Sequence, residues 1–196
     1  LDWTKTFDFD GDDNHETLNP GDDLPTPQDL TIDFTSDFVH RVTGSVTGDA
    51  GNDDIFITAD DVTLAGTAEF AVTRYERDID SLIDAQLDSY AFTLDGAQLV
   101  IGEDIDLTLS GAVAVVKITP DNETDARYTA VKMGDVTVTA STNSANFGLT
   151  GTLDIDSLDY NNAAGEFDRL DWTTLNLDPG ADLPTPQDLT IDYTSE

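Results

Sequence analysis

The apolar positions of this chain recur with period two. Val62, Leu64, Gly66, Ala68, Phe70 and Val72 alternate with Thr63, Ala65, Thr67, Glu69, Ala71 and Thr73. Ile105–Val115 follows the same rule, and Asp135–Thr139 and Phe147–Asp156 are shorter versions. Successive strand residues point to opposite faces, so this alternation predicts pleated strands with one face more apolar than the other. Thr interleaved with Val, Leu and Ile suits such a half-buried surface. Between the runs stand clusters that favour turns: Asp49–Asp54, Asp95-Gly96, Gly102–Asp104, Asp121–Asp125 and Asn161-Asn162. One stretch breaks the rule. Across Tyr75–Leu87, Ile79, Leu82, Ile83 and Leu87 fall at helical spacing, and a short helix is the alternative there.

The predicted strands are long. A run of twelve residues spans about 40 Å, against a usual strand of about five or six residues. A word of the form apolar-x-Gly-x-apolar occurs around Gly44, Gly66, Gly111 and Gly151. Glycine within a strand marks a bend, a bulge or the close approach of another backbone. The expected fold is all-β: an elongated two-layer antiparallel β-sandwich whose long strands bend along a common line. A β-solenoid or an extended curved sheet is the alternative. The solenoid is disfavoured because no short period of about 20 to 30 residues is visible.

A second periodicity is coarser. Leu1–Thr4 returns as Leu170–Thr173, and Leu18–Ser36 returns as Leu177–Ser195 with three of nineteen positions changed. The first copy carries ten extra residues, Asp8–Thr17. The chain thus reads as one tandem repeat, residues 1–169, followed by the opening of the next, 170–196. Within the repeat, residues 1–36 are a junction containing the acidic insert 8–17, and 37–169 are the β body. A piece of a longer array is expected. Six of the seven prolines lie in the two junction copies. Proline fixes φ and removes a ladder donor, so Leu-Pro-Thr-Pro predicts a stiff extended connector. The later copy is also expected to complete the fold of the body before it, by pairing Leu189–Tyr193 as a strand. Left exposed, that strand could pair with another molecule and build fibres.

Charge narrows the chemistry. Forty-one acidic residues face eight basic ones, a formal charge of −33. Nucleic acid is excluded as a partner, because phosphates would be repelled. Compaction of so many like charges calls for cations. Salt adaptation is one explanation, and the scarcity of lysine (Lys5, Lys117, Lys132) fits it. Calcium is the other. The excess of Asp over Glu favours it, since short carboxylates suit tight oxygen cages. There is no Cys, hence no disulfide framework and no thiolate metal site. No apolar run reaches membrane-spanning length.

The sharpest candidate metal site is the insert, where Asp8, Asp10, Asp12, Asn14 and Glu16 carry oxygen at every second position. Five ligand positions of a helix–loop–helix calcium loop match, but Asp13 stands where that loop requires Gly and Asn19 where it requires Glu. Weaker candidates are the Asp-x-Asp pairs Asp78/Asp80, Asp104/Asp106 and Asp154/Asp156, with Asp84 and Asp159 nearby, and the run Asp121–Asp125. On a strand each pair aims two carboxylates the same way, and a bridging cation would relieve their repulsion. Catalysis finds little footing. His15 and His40 sit beside no nucleophile pattern, and no nucleophile elbow is present. Trp3 and Trp172 both belong to the junction words, so packing against a neighbouring unit explains them better than sugar stacking does. No catalytic residue is assigned.

Near-identical β-rich repeats, Asp-heavy loops, the lack of Cys and the junction Trp-Thr…Pro-Gly-Ala-Asp-Leu-Pro-Thr-Pro resemble tandem repeats of very large bacterial surface or secreted proteins, of which giant calcium-dependent adhesins of the RTX type are one group. The glycine-rich nonapeptides that define RTX calcium rolls are missing. The resemblance implies a non-enzymatic extender or stalk, extracellular or at the cell surface, with calcium stiffening its joints. Its partners would be neighbouring repeats of the same chain, or other copies through strand pairing. A carbohydrate- or ligand-binding β-sandwich module and a strand-donating fibre subunit are the alternatives.

Overall fold

In the computed structural model, the described residues are 1–5, 18–48, 55–59, 62–101, 105–123, 125–141, 151–164 and 167–195. The chain divides into two compact units, Leu1–His40 and Arg41–Glu196.

The fold is all-β. Among the described residues there are seven strands: β1 (Phe38–Gly48), β2 (Ile55–Ala59), β3 (Val62–Ile79), β4 (Leu82–Ile101), β5 (Ile105–Thr119), β6 (Tyr128–Ser141) and β7 (Gly151–Ala163). They join one open sheet in the order β1-β3-β4-β5-β6-β7, with β2 also pairing with β3. From β2 to β7 each strand pairs antiparallel with the next. The period-two runs therefore form strands wherever they are described (147–150 of the last run lie outside the described residues), and long ones: β3 has 18 residues and β4 has 20. The second sheet of a sandwich is not found among the described strands. A non-strand segment, residues 170–195, supplies the layer over one face.

The helical spacing across Tyr75–Leu87 has a different cause. Ile79 pairs with Leu82 across a tight turn at Asp80-Ser81, and the register shifts between Arg77 and Ile79. Asp80 (φ 52°) and Asp84 (φ 46°) take left-handed backbone to make the turn and the bulge. The extra residue returns Ile79, Leu82 and Leu87 to one buried face and leaves Ile83 exposed. Three apolar residues at helical spacing thus mark a bulged hairpin.

Two of the four glycine words coincide with irregularities of the ladder. Gly66 (φ +120°) and Gly111 (φ +133°) have backbone that L side chains rarely adopt. A Cβ on Gly111 would meet Val136 Cα at 2.7 Å, and one on Gly66 would meet Ala97 Cα at 2.6 Å. The pairing slips at both glycines, and again between Leu94 and Ala97 on β4. Asp135, with φ 50°, continues the series on β6. Four adjacent strands thus carry irregularities along one line. Gly44 and Gly151 are not part of it: Gly44 lies under the Phe70 ring, and Gly151 has open space where a Cβ would be.

The core lies on one face. The cross-strand row Ala71, Ala91, Ala114 is buried, as are its neighbours Thr73, Ser89, Val116, Ala130 and Leu87, Ile118, Tyr128. Small side chains dominate the middle of this face, so a thin extended segment can lie close to the backbone. Two facing sheets would stand about 10 Å apart and need larger side chains between them. The other face carries Phe70, Phe92, Val113, Met133 and Leu158 in register across β3 to β7. It also carries the Arg74–Asp88 pair, whose two hydrogen bonds measure 2.5 and 3.0 Å.

Candidate functional site

The most specific constellation in the molecule is the later junction word seated on the sheet. Its shape is set locally. Asp178 caps the 3-10 turn Pro179–Asp182: its Oδ1 accepts the amides of Gly180 at 3.1 Å and Leu189 at 3.0 Å. A short carboxylate at a cap position is well placed for such backbone bonds. Proline opens the turn, where its missing N–H costs nothing. Gly180 is required by closeness, since a Cβ there would lie 2.1 Å from the Gln187 carbonyl oxygen. The chain then bends through Leu183–Thr185, where an extended connector was expected of Leu-Pro-Thr-Pro, and the Gln187 amide closes on the Gly180 carbonyl at 3.1 Å; beyond it Ile191 pairs with Leu177 in an isolated bridge. The expected strand pairing of Leu189–Tyr193 with the body does not form. The segment completes the fold by covering a face.

Its apolar side chains point at the sheet. Trp172, Leu183, Leu189 and Ile191 are 0, 3, 1 and 1 % exposed. Trp172 and Ile191 join the cluster of Leu87, Val116, Ile118, Tyr128 and Ala130, while Leu183 and Leu189 sit on Ala71, Ala91, Ala112 and Ala114. Full burial of a large apolar side chain contributes about 1.5–3 kcal/mol, so these four residues are a large part of what holds the unit together.

Polar contacts fix the position. Asn161 on β7 works as a clamp: its Oδ1 accepts the Trp172 indole N–H at 2.9 Å, and its Nδ2 donates to the carbonyls of Leu170 and Thr194 at 3.1 and 2.9 Å. Glu69 on β3 accepts both the amide and the hydroxyl of Thr185 at 2.9 Å. Asp182 accepts from Thr73 Oγ1 at 2.9 Å and pairs with Arg41 at 3.2 Å. The Tyr193 hydroxyl is 2.8 Å from the Val131 carbonyl and 3.0 Å from Asp159. Lys132 pairs with Asp159 at 2.9 Å and lies over the Tyr193 ring. Burial pushes the Tyr193 phenol well above its usual range, and the bond to Asp159 adds to that. The Lys132 ammonium holds the Asp159 carboxyl below the usual carboxylate range. Trp172, suggested by its position to be a packing residue, is wholly enclosed and cannot stack on a ligand.

The first word folds the same way within its own unit. Asn19 Oδ1 accepts the amides of Gly21 and Leu30 at 3.2 and 2.8 Å, and Leu18 bridges Ile32. The Trp3 amide bonds the Phe34 carbonyl at 2.8 Å, as Trp172 bonds Tyr193 at 2.8 Å. The Phe34 and Phe38 rings stack with centroids 4.7 Å apart. The internal fold of the word thus follows from its own sequence.

The candidate metal ligands fare unevenly. Asp8, Asp10, Asp12, Asn14, Glu16 and Asp104 lie outside the described residues. Asp106 is part of the β5 ladder, opposite Val100. Asp78 accepts the Asp84 amide at 2.9 Å, so it serves the bulged turn, and Asp80 forms the turn itself. Asp154 accepts from Thr137 across the strand pair at 2.9 Å, and Asp156 is exposed on the same strand. Charges there have a plain physical use: β7 ends the sheet, and charge on an edge strand opposes pairing with further chains. Asn122, in the Asp121–Asp125 run, accepts the Ile83 amide at 3.1 Å and braces the β3–β4 turn. Among the described residues no three His, Asp or Glu side chains converge on a common point. No helix among them is long and apolar enough to cross a membrane.

The sheet-covering role was half legible. Duplication of the word and its strand-breaking prolines pointed to a junction. The small-residue runs Ala112-Val-Ala114 and Ala71…Ala91 were the overlooked signal for a face that accepts a thin cover. Comparison of the chain with protein-family models, with curated proteins and with solved structures found no match.

Proposed function

We propose that this chain is a non-catalytic structural repeat from a large extracellular bacterial protein, a stalk or scaffold segment in adhesion or surface assembly. In this reading the sheet of one repeat and the junction word of the next are the two layers of one core, 37–169 is the repeated body, and each junction sets the angle to the next unit. The observation that carries the reading is the word itself: it occurs twice, folds twice with the same hydrogen bonds, and in its later copy closes the core of the body before it. A segment that finishes its predecessor is a device for joining units in series.

Calcium belongs to the same proposal. The support is the charge of −33 and the oxygen spacing of the insert. Asp78 and Asp154 already accept hydrogen bonds from the chain, so the insert Asp8–Glu16 is the first place to look. The test is a chain of two full repeats, followed by small-angle scattering and calorimetry with calcium, with EDTA, and with sodium chloride at matched ionic strength. Calcium at low concentration should raise the melting temperature and narrow the distribution of end-to-end distances. Equal profiles with calcium and EDTA would reject the metal. A response to sodium chloride alone would favour salt adaptation.

A ligand-binding module is the second reading. The apolar face bearing Phe92 (37 % exposed) and Tyr160 (48 % exposed) favours it. Val115 and Val131 separate Tyr160 from Tyr90 in the register, however, so the aromatic rings do not form a continuous platform. Binding to a glycan array would promote this reading.

A further inference from the structure

The two junction words share their sequence and their internal fold but not their exposure. Leu24, Leu30 and Phe34 of the first word are 43, 53 and 41 % exposed. Their counterparts in the later word are Leu183, Leu189 and Tyr193; the two leucines are 3 and 1 % exposed, and Tyr193 is packed against the core cluster. Solvent-facing leucines on a loop closed by its own hydrogen bonds are unfavourable, and exposed apolar patches mark interaction sites. The later word shows what such a surface fits.

We infer that the first word is a docking surface for the small-residue sheet face of another copy of this repeat. This deepens the scaffold reading and rests on it. The counterpart positions give the contacts in advance. Leu24 and Leu30 would lie on Ala71, Ala91, Ala112 and Ala114 of the other copy, and Ile32 beside Val116 and Ile118. Asp23 would replace Asp182 against Arg41 and Thr73, Thr26 would replace Thr185 against Glu69, and the Trp3 indole would replace that of Trp172 on Asn161. One substitution changes the chemistry: Phe34 has no hydroxyl for the Val131 carbonyl or for Asp159. The first word therefore grips that corner less firmly than the later one. The contact is face-on and directional, with a word on one copy and a sheet on the other. Such heterologous contacts propagate head to tail.

The test is a graft. Residues 170–195 of the chain are replaced by residues 1–36, and the N-terminal Trp3→Phe change leaves the grafted indole as the only reporter. A second version omits residues 8–17 from the graft. The parent carrying the same Trp3→Phe change reports Trp172. If the first word is a sheet cover, at least one graft keeps the parental β circular dichroism. Its indole also keeps the blue-shifted emission and resistance to acrylamide of Trp172, and loses both when the grafted leucine at the Leu30 position becomes Asp. Restoring the hydroxyl, with Phe34→Tyr in the graft, raises its melting temperature. Two grafts that unfold, or that fold with a fully quenchable indole, overturn the inference. The scaffold reading fails separately: a two-repeat chain with freely varying interunit distances sinks that reading even if the graft succeeds.

Discussion

Trp172→Ala is the most direct probe of the covering segment, because the same residue in the first word provides an internal control. Trp172 is fully buried and its indole N–H is bonded to Asn161 Oδ1. Removing a buried aromatic side chain to Ala costs about 3–5 kcal/mol. The Asn161 oxygen left without its donor adds about 1 kcal/mol or more, to the extent that water does not replace the indole. The sum, about 4–6 kcal/mol, is a large share of the roughly 5–15 kcal/mol that hold a typical domain together. In a unit of this size each kcal/mol shifts the melting temperature by about 2–4 °C, so a fall of about 8–24 °C is expected. Trp172→Phe should retain most of the packing and lose mainly the hydrogen bond, with a loss nearer 1–2 kcal/mol. Trp3→Ala, in the partly exposed copy, should cost less than Trp172→Ala. Urea denaturation followed by circular dichroism measures all three. If Trp172→Ala costs no more than Trp3→Ala, the segment is a linker and not part of the core.

Other variants probe the clamp, the ladder irregularity and the titrating corner. Asn161→Asp keeps the oxygen that receives the indole but removes both donors to Leu170 and Thr194; a loss of about 1–3 kcal/mol is expected from the urea midpoint, and an unchanged midpoint would dismiss the clamp. Gly111→Ala puts a Cβ against Val136 Cα at 2.7 Å in backbone that L residues avoid. It should destabilise by more than about 1 kcal/mol, whereas Gly151→Ala, with open space around it, should be nearly silent. Tyr193 has a raised pKa, so its contribution is full below the ordinary tyrosine value of 10.0 and is lost as pH rises above it. Tyr193→Phe should therefore flatten the fall of stability between pH 10 and 11, and equal slopes in parent and variant would refute this. Asp159 has a lowered pKa, so its contribution is full above 3.8 and is lost as pH falls through the depressed value. Asp159→Asn should accordingly lose stability at pH 7 but little at pH 2, as read from urea midpoints at the two pH values.

The sequence alone determined the strands, their length and the irregularities at Gly66 and Gly111; the internal shape of the junction word is local as well, although a 3-10 turn and a bend took the place of the expected extended connector and strand. These are local properties. Period-two alternation, a glycine that must take positive φ, and a capping Asn or Asp eleven residues before the amide it bonds are all written within short stretches. The word folds alike in both copies for the same reason. Which way a face is covered is a long-range matter. Alternation says that one side of β3 to β6 wants burial, but a second sheet and a thin proline-rich segment both satisfy it. Only the packing of Leu183 and Leu189 on a face of alanines, with Ile191 in the cluster of Leu87, Val116 and Ile118, selects the second. The helical spacing at Ile79, Leu82, Ile83 and Leu87 misled because a bulge near Asp84 resets strand parity, and no pattern count sees a bulge. Most of all, two words of near-identical sequence ended with opposite exposure. Burial depends on what stands opposite a surface, and that is decided by the tertiary structure.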